Sequence, residues 1–231
     1  MQGKELKKQL KSLIQEASFL DPKLEKRLIE INRWIKDTKP GSLIAKKFLI
    51  VFLRQIIKDS KVWLLITDLS PEEKQQLYDS CMTTTEKYWY AHLFPEWLSQ
   101  NDPKFYIWRA KLMSAEFHQD DWKILKDISE EVKQRQGTVL QRYVADLSMG
   151  TDLIISSEQH KPLCIQLTTL SEKFTKAKYA KWEKTLLEWQ IDRGLFLSYN
   201  PNNSHVANTL VNIALYNSEN LQVGTYLKFD L

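Results

Sequence analysis

GTDLIISSEQHKPLCIQLTT, residues 150–169, is the stretch on which the fold turns. Leu153-Ile154-Ile155 is a short apolar run of the kind a buried strand carries, and Leu163 to Thr168 is a second. The polar connection from Ser156 to Pro162 is short enough to fold the two runs into a hairpin. Asp152 opens the first run after Gly150-Thr151, and Gln166 lies near the end of the second, 14 residues on. Adjacent strands lie about 4.8 Å apart, so a hairpin can bring these two polar groups together at one end of a sheet. A carboxylate and an amide oxygen placed there could share a hard cation such as Mg²⁺, which takes oxygen ligands. A cation so held would activate water and offset the charge of a phosphoryl transition state.

Working outward, Thr169 and Glu172 have the spacing of a capping box, which starts a helix running to about Ile191. Its Tyr179, Trp182, Leu186 and Trp189 step by three or four along one face. Gly194 precedes a further strand, Leu195 to Tyr199; the loop Asn200 to Asn203, a helix from His205 to Tyr216 and an edge strand from Gly224 to Leu231 complete the chain. Upstream, Trp122 to Gln136 reads as a helix with Leu125, Ile128 and Val132 inward, stopped by Gly137. Thr138 to Leu147 fits strand or helix equally. These elements predict an α/β domain over residues 120–231 with a central mixed β-sheet.

Residues 1–119 follow another grammar, that of a helical region rich in tryptophan. Leu6, Leu10, Leu13 and Ile14 mark a helix from Lys4 to Leu20. Asp21-Pro22 opens the next, with Leu24, Leu28, Ile31 and Ile35 on one stripe. A third is expected from Ser42 to Ile57, and Ser70-Pro71-Glu72-Glu73 is a capping-box start. The whole chain is thus expected to be α+β. Six of the eight tryptophans (Trp34, Trp63, Trp89, Trp97, Trp108 and Trp122) fall within residues 1–122. Core packing is their default role, and base stacking is the functional alternative.

Charge is distributed unevenly. Residues 1–61 carry 15 basic and 7 acidic side chains, a balance of +8, against −5 over residues 62–130 and +1 over the rest. The basic block could track a phosphate backbone or be an ordinary solvated helix face. The charged N-terminus and the lack of an apolar run of about 18 residues argue against a signal peptide or a membrane span. Two distant cysteines, Cys81 and Cys164, suit a reducing, cytoplasmic setting. His92, His118, His160 and His205 are too scattered for a zinc site. The glycines form no phosphate loop, and no nucleophile elbow is present.

The stretch 150–169, with a helix before it and a helix and strand after it, resembles the core of the PD-(D/E)XK, or restriction-endonuclease-like, nucleases. The likeness covers about residues 120–200. In that family an Asp opens the second core strand, and a Glu or Gln on the third is followed two residues later by a catalytic Lys. A Glu on the preceding helix often completes the site. The resemblance therefore implies Asp152 and Gln166 as the metal-binding pair and Glu131, or its neighbour Glu130, as the helix carboxylate. This chain departs from the pattern at Thr168, where the family has Lys. Some members take the Lys from the following helix, which here offers Lys173, Lys176, Lys178, Lys181 and Lys184. Lys173 and Lys176, in its first two turns, are the expected substitutes.

The function implied is Mg²⁺-dependent hydrolysis of phosphodiester bonds in nucleic acid, DNA by expectation. A homodimer is one possible assembly. Two other readings stand beside it: a catalytically degenerate protein of the same fold that serves as a nucleic-acid or protein interaction module, and a helical adaptor with a structural α/β tail.

Overall fold

The computed structural model describes residues 2–36, 47–107, 110, 120–157, 161–169, 172–203 and 205–231. The chain divides into two compact units, Met1–Cys81 with Pro95–Phe117, and Met82–Phe94 with His118–Leu231.

The first unit is helical. Helices α1 (Gln2–Leu20), α2 (Pro22–Lys36) and α3 (Lys47–Asp68) pack together, with α1 against both of the others. Their inward stripes are Leu6, Leu10, Leu13 and Ala17 on α1, Leu24, Leu28, Ile31 and Ile35 on α2, and Leu49, Phe52, Leu53 and Ile56 on α3. Helix α3 runs well past the expected end at Ile57. Asp59 and Ser60 are carried inside, so Leu64 and Ile66 prolong the buried stripe. The expected start at Ser42 lies outside the described residues. Helix α4 (Pro71–Ser80) has the full capping box of Ser70 and Glu73.

Buried Arg27 on α2 donates to the Trp97 carbonyl at 3.0 Å and to that of Gln100. Its guanidinium lies over the Trp97 and Phe105 rings at 5.1 and 5.4 Å. Trp34, Trp89 and Trp97 are buried, and half-buried Trp63 donates its indole N–H to Asp21 at 2.6 Å. These four rings serve packing rather than base stacking; Trp108 and the side chain of Trp122 lie outside the described residues.

The second unit is built on a five-stranded mixed sheet in the order β1-β2-β3-β4-β5. Its strands are β1 (Thr138–Leu140), β2 (Leu153–Ser156), β3 (Leu163–Thr168), β4 (Arg193–Ser198) and β5 (Thr225–Asp230). The first three are mutually antiparallel, and β4 and β5 run parallel to β3. The segment left open between strand and helix is both: β1, then a helix of two turns. Numbering onward from α5 (Thr84–Tyr88) and α6 (Phe94–Ser99), which flank a π-helical turn at Trp89–Leu93, the helices are α7 (Asp120–Gln134), α8 (Tyr143–Met149), α9 (Glu172–Glu188) and α10 (Val206–Asn220). The segment from Met82 to Phe94 joins this unit: α5 packs against β1 and β2, and the Tyr88 phenol lies against the buried Cys164 thiol. No helix among the described residues is long and apolar enough to cross a membrane.

Strand alternation gives the sheet two unlike faces. Leu153, Ile155, Leu163, Ile165, Leu195 and Leu197 share one core with Ile128 and Val132 of α7 and Leu210, Val211 and Ala214 of α10. The other face, which alternates with it, carries Cys164, Gln166, Thr168, Gly194, Phe196 and Tyr226, and α9 packs there. Trp182 of α9 sits 5.5 Å from the Phe196 ring and 6.1 Å from that of Tyr226. Gly194 allows this approach: a Cβ there would stand 2.5 Å from Leu186 and 2.9 Å from Trp182.

Gly194→Ala should therefore lower stability by about 1–3 kcal/mol, the usual range for overpacking. For a chain of this size that corresponds to a drop of about 2–4 °C in Tm per kcal/mol, readable by differential scanning calorimetry.

Candidate functional site

The β2–β3 ladder continues one residue beyond β2. The Asp152 N–H donates to the Ile165 carbonyl at 2.8 Å, and the register Leu153 with Ile165 sets Asp152 opposite Gln166. Their side chains meet. Asp152 Oδ2 accepts from Gln166 Nε2 at 2.6 Å and from the Leu167 N–H, also at 2.6 Å. Gln166 Nε2 donates in addition to the Leu167 carbonyl at 3.1 Å.

A second carboxylate joins them from an element that sequence reasoning left undecided. Helix α8 ends on Gly150, at φ 65°, whose N–H returns to the Asp146 carbonyl, while the Thr151 N–H bonds that of Ala145. This left-handed cap folds the chain back on α8, and the Asp146 carboxyl hydrogen-bonds that of Asp152. Two indoles hold this end of α8: Trp182 Nε1 of α9 donates to the Gly150 carbonyl at 2.9 Å, and Nε1 of Trp189, just past the end of α9, to the Ser148 carbonyl at 3.0 Å.

The cation comes from α9. Lys178 Nζ donates to the Thr168 hydroxyl at 3.1 Å, and its charge acts on Asp152. Lys178 therefore occupies the neighbourhood expected of Lys173 or Lys176. Lys176 is exposed, and the Lys173 side chain lies outside the described residues. The signal for Lys178 is in the sequence: stepping back by four from Leu186 through Trp182 lands on it. Glu131 is not brought to the site. It pairs with Arg135 at 2.6 Å, and Arg135 reaches Asn208 and Asn212 of α10, so it belongs with the helices on the opposite sheet face. Glu130 is exposed and pairs with Lys126 at 3.6 Å.

Asp146, Asp152, Gln166 and Lys178 are all half-buried around the buried Thr168, so the cluster opens to the surface at one end of the sheet. Burial first, and then the Asp146 carboxyl beside it, push Asp152 well above the usual carboxylate range; the Leu167 N–H and Lys178 pull in the opposite sense. Such a pair shares a proton. Its oxygens are hard donors, but Gln166 turns its nitrogen, not its oxygen, to Asp152. Among the described residues no group of three or more His, Cys, Asp or Glu is arranged to hold a metal ion. The polar set here is two carboxylates, one amide and one ammonium.

Comparison of the chain with protein-family models, with curated proteins and with solved structures finds no match.

The raised Asp152 carboxyl sets a pH dependence. Its contribution to stability is complete below the unfolded-state value of about 3.9 and is lost as pH rises through the higher folded-state value. Asp152→Asn keeps an acceptor for Leu167 and gives Asp146 a neutral donor. The variant should melt at least about 2 °C above the wild type at neutral pH, the shift about 1 kcal/mol produces in a chain of this size. The difference should shrink towards pH 4 in calorimetric scans across that interval.

Proposed function

We propose that the second unit is a metal-dependent nuclease of the PD-(D/E)XK type acting on DNA, with Asp152 and Asp146 as its acidic pair and Lys178 as its lysine. The observation that carries this reading is the Lys178 ammonium at the Thr168 hydroxyl, beside the Asp152 carboxyl. A positive group is thereby supplied from the following helix to the strand position where the family pattern has Lys. The order of helix, hairpin, helix and parallel strand also supports the reading.

The residues fit a divalent cation in one specific respect. A proton shared between two partly buried carboxyls is the state that a hard cation relieves by replacing it, using the same oxygens. Asp152 and Asp146 would hold Mg²⁺, and rotation of the Gln166 amide about its last torsion would offer a third oxygen. The bound ion would supply activation of water and charge neutralisation at phosphorus. The remaining work belongs to the chain. Lys178 would orient the attacking water and offset the negative charge that builds on the phosphate oxygens. Leu167 N–H fixes the Asp152 carboxylate, and the two indole bonds fix the turn that carries it. The degenerate-module alternative draws support from the Gln166 nitrogen turned to Asp152, an arrangement stable without a cation.

The test is cleavage of end-labelled DNA with Mg²⁺ or with EDTA. Cleavage should require the metal and vanish in Asp152→Ala. Lys178→Met should slow it by on the order of 100-fold or more, the effect of deleting one electrostatic stabiliser. Thr168→Lys in the Lys178→Met background should restore part of the rate. A wild type that binds DNA without cutting it, whatever divalent ion is added, leaves the interaction module.

A further inference from the structure

Helices α1 and α3 each present an outward stripe in which basic residues predominate. On α3 the exposed positions Val51, Arg54, Lys58, Lys61 and Leu65 recur at steps of three and four, so Arg54, Lys58 and Lys61 line one side over about 10 Å of helix rise. Helix α3 has two acidic residues: Asp59, which is 1% exposed and turned inward, and Asp68, which is exposed on the last residue of the helix, one turn beyond Leu65. On α1, Lys4, Lys8 and Lys11 form a second exposed stripe, with Glu5 and Glu16 about 100° round the helix. None of these six cations forms an ion pair among the described residues.

A helix face kept only for solvation ordinarily mixes signs, and the second unit does so. Lys126 pairs with Glu130 on α7, and Lys184 with Glu188 on α9, each four residues apart. On α1 and α3 the same spacing joins like charges: Lys4 with Lys8, and Arg54 with Lys58. Like charges four apart destabilise an isolated helix; the second unit's pair of this kind, Asp127 with Glu131 on α7, is offset by Arg135 on Glu131, whereas the pairs on α1 and α3 keep the penalty. A partner with closely spaced negative charge removes that penalty. Duplex DNA presents one negative charge per about 1.7 Å of its axis, dense enough to engage every cation along either stripe.

We propose that the helical unit binds the phosphate backbone of duplex DNA, without base selection, through these two stripes. This goes beyond the reading of the Asp152 site and does not depend on it, since the residues belong to the other compact unit. Binding follows from counterion release, so each phosphate contact contributes about 0.9 to the slope of log affinity against log salt.

The experiment is fluorescence anisotropy of the full chain with a labelled duplex of about 20 base pairs, in EDTA, over a range of KCl centred near 0.1 M. Arg54→Gln/Lys58→Gln/Lys61→Gln should flatten the salt slope by about 2.7 and weaken binding near 0.1 M salt on the order of 100-fold. Lys4→Gln/Lys8→Gln/Lys11→Gln should act in the same direction. All six positions are exposed, so Tm should stay near that of the wild type, and glutamine suits a helix. A change confined to one triple variant assigns the contact to that helix. The proposal is overturned if both variants keep the wild-type slope and affinity, if the wild type binds RNA duplexes more tightly than DNA, or if it binds heparin but no duplex. Asp152→Ala should keep the wild-type slope, so loss of cleavage and loss of this binding are read separately.

Discussion

The second unit depends on two indole N–H groups. Trp182 and Trp189 each spend their single donor on a backbone carbonyl at the C-terminal end of α8, at Gly150 and Ser148. A buried indole needs such a partner, and a carbonyl at a helix C-terminus has lost its own. Each deficit answers the other, and the result ties α9 across the sheet to the segment that delivers Asp146 and Asp152. Gly194 lets α9 lie close enough for this to happen, and Phe196 and Tyr226 set its rotation. The ammonium of Lys178 then faces Thr168 because it continues the stripe that the tryptophans define.

Period-two alternation explains why polar chemistry gathers where it does. One face of the sheet is closed by α7 and α10 around an apolar core. The opposite face carries α9 and, at Cys164, the Tyr88 phenol of α5, and near the ends of β2 and β3 it keeps Asp152, Gln166 and Thr168. A carboxyl half withdrawn from water beside another carboxyl is an unfavourable arrangement for stability. Carboxyls perturbed in this way concentrate at functional sites, which supports the site proposed above.

Much of this was legible in the residues. Strands β2 and β3, the hairpin between them and the opposition of Asp152 to Gln166 follow from two apolar runs and a polar turn. The capping box at Ser70 and the inward stripes of α1 and α2 were equally clear. What escaped depends on rotation and on brief elements. Helix α8 is too short to show a period, so Asp146 could not be recognised as a ligand candidate. Glu131 sits on the longer, more conspicuous helix, but Ile128 and Val132 turn that helix to the apolar face. Among five lysines on α9, the choice depends on how the helix is rolled, and that roll is set by its tryptophans rather than by distance from the strand end. The reach of α3 past Ile57 was hidden because Asp59 and Ser60 look like an ending, whereas both are buried.

Placing the ammonium on α9 rather than on β3 separates it mechanically from the acids. A lysine in the strand would remain as long as the sheet held its ladder, whereas Lys178 stays only while the early turns of α9 remain docked. Helix ends open locally at free energies far below that of global unfolding. Each such opening would withdraw the positive charge and leave Asp146, Asp152 and the whole sheet intact. In the proposed site the acids and the ammonium thus sit on different elements, so a substitution that loosens only the first turns of α9 would remove Lys178 while the Trp182 and Trp189 bonds still hold the segment carrying Asp146 and Asp152.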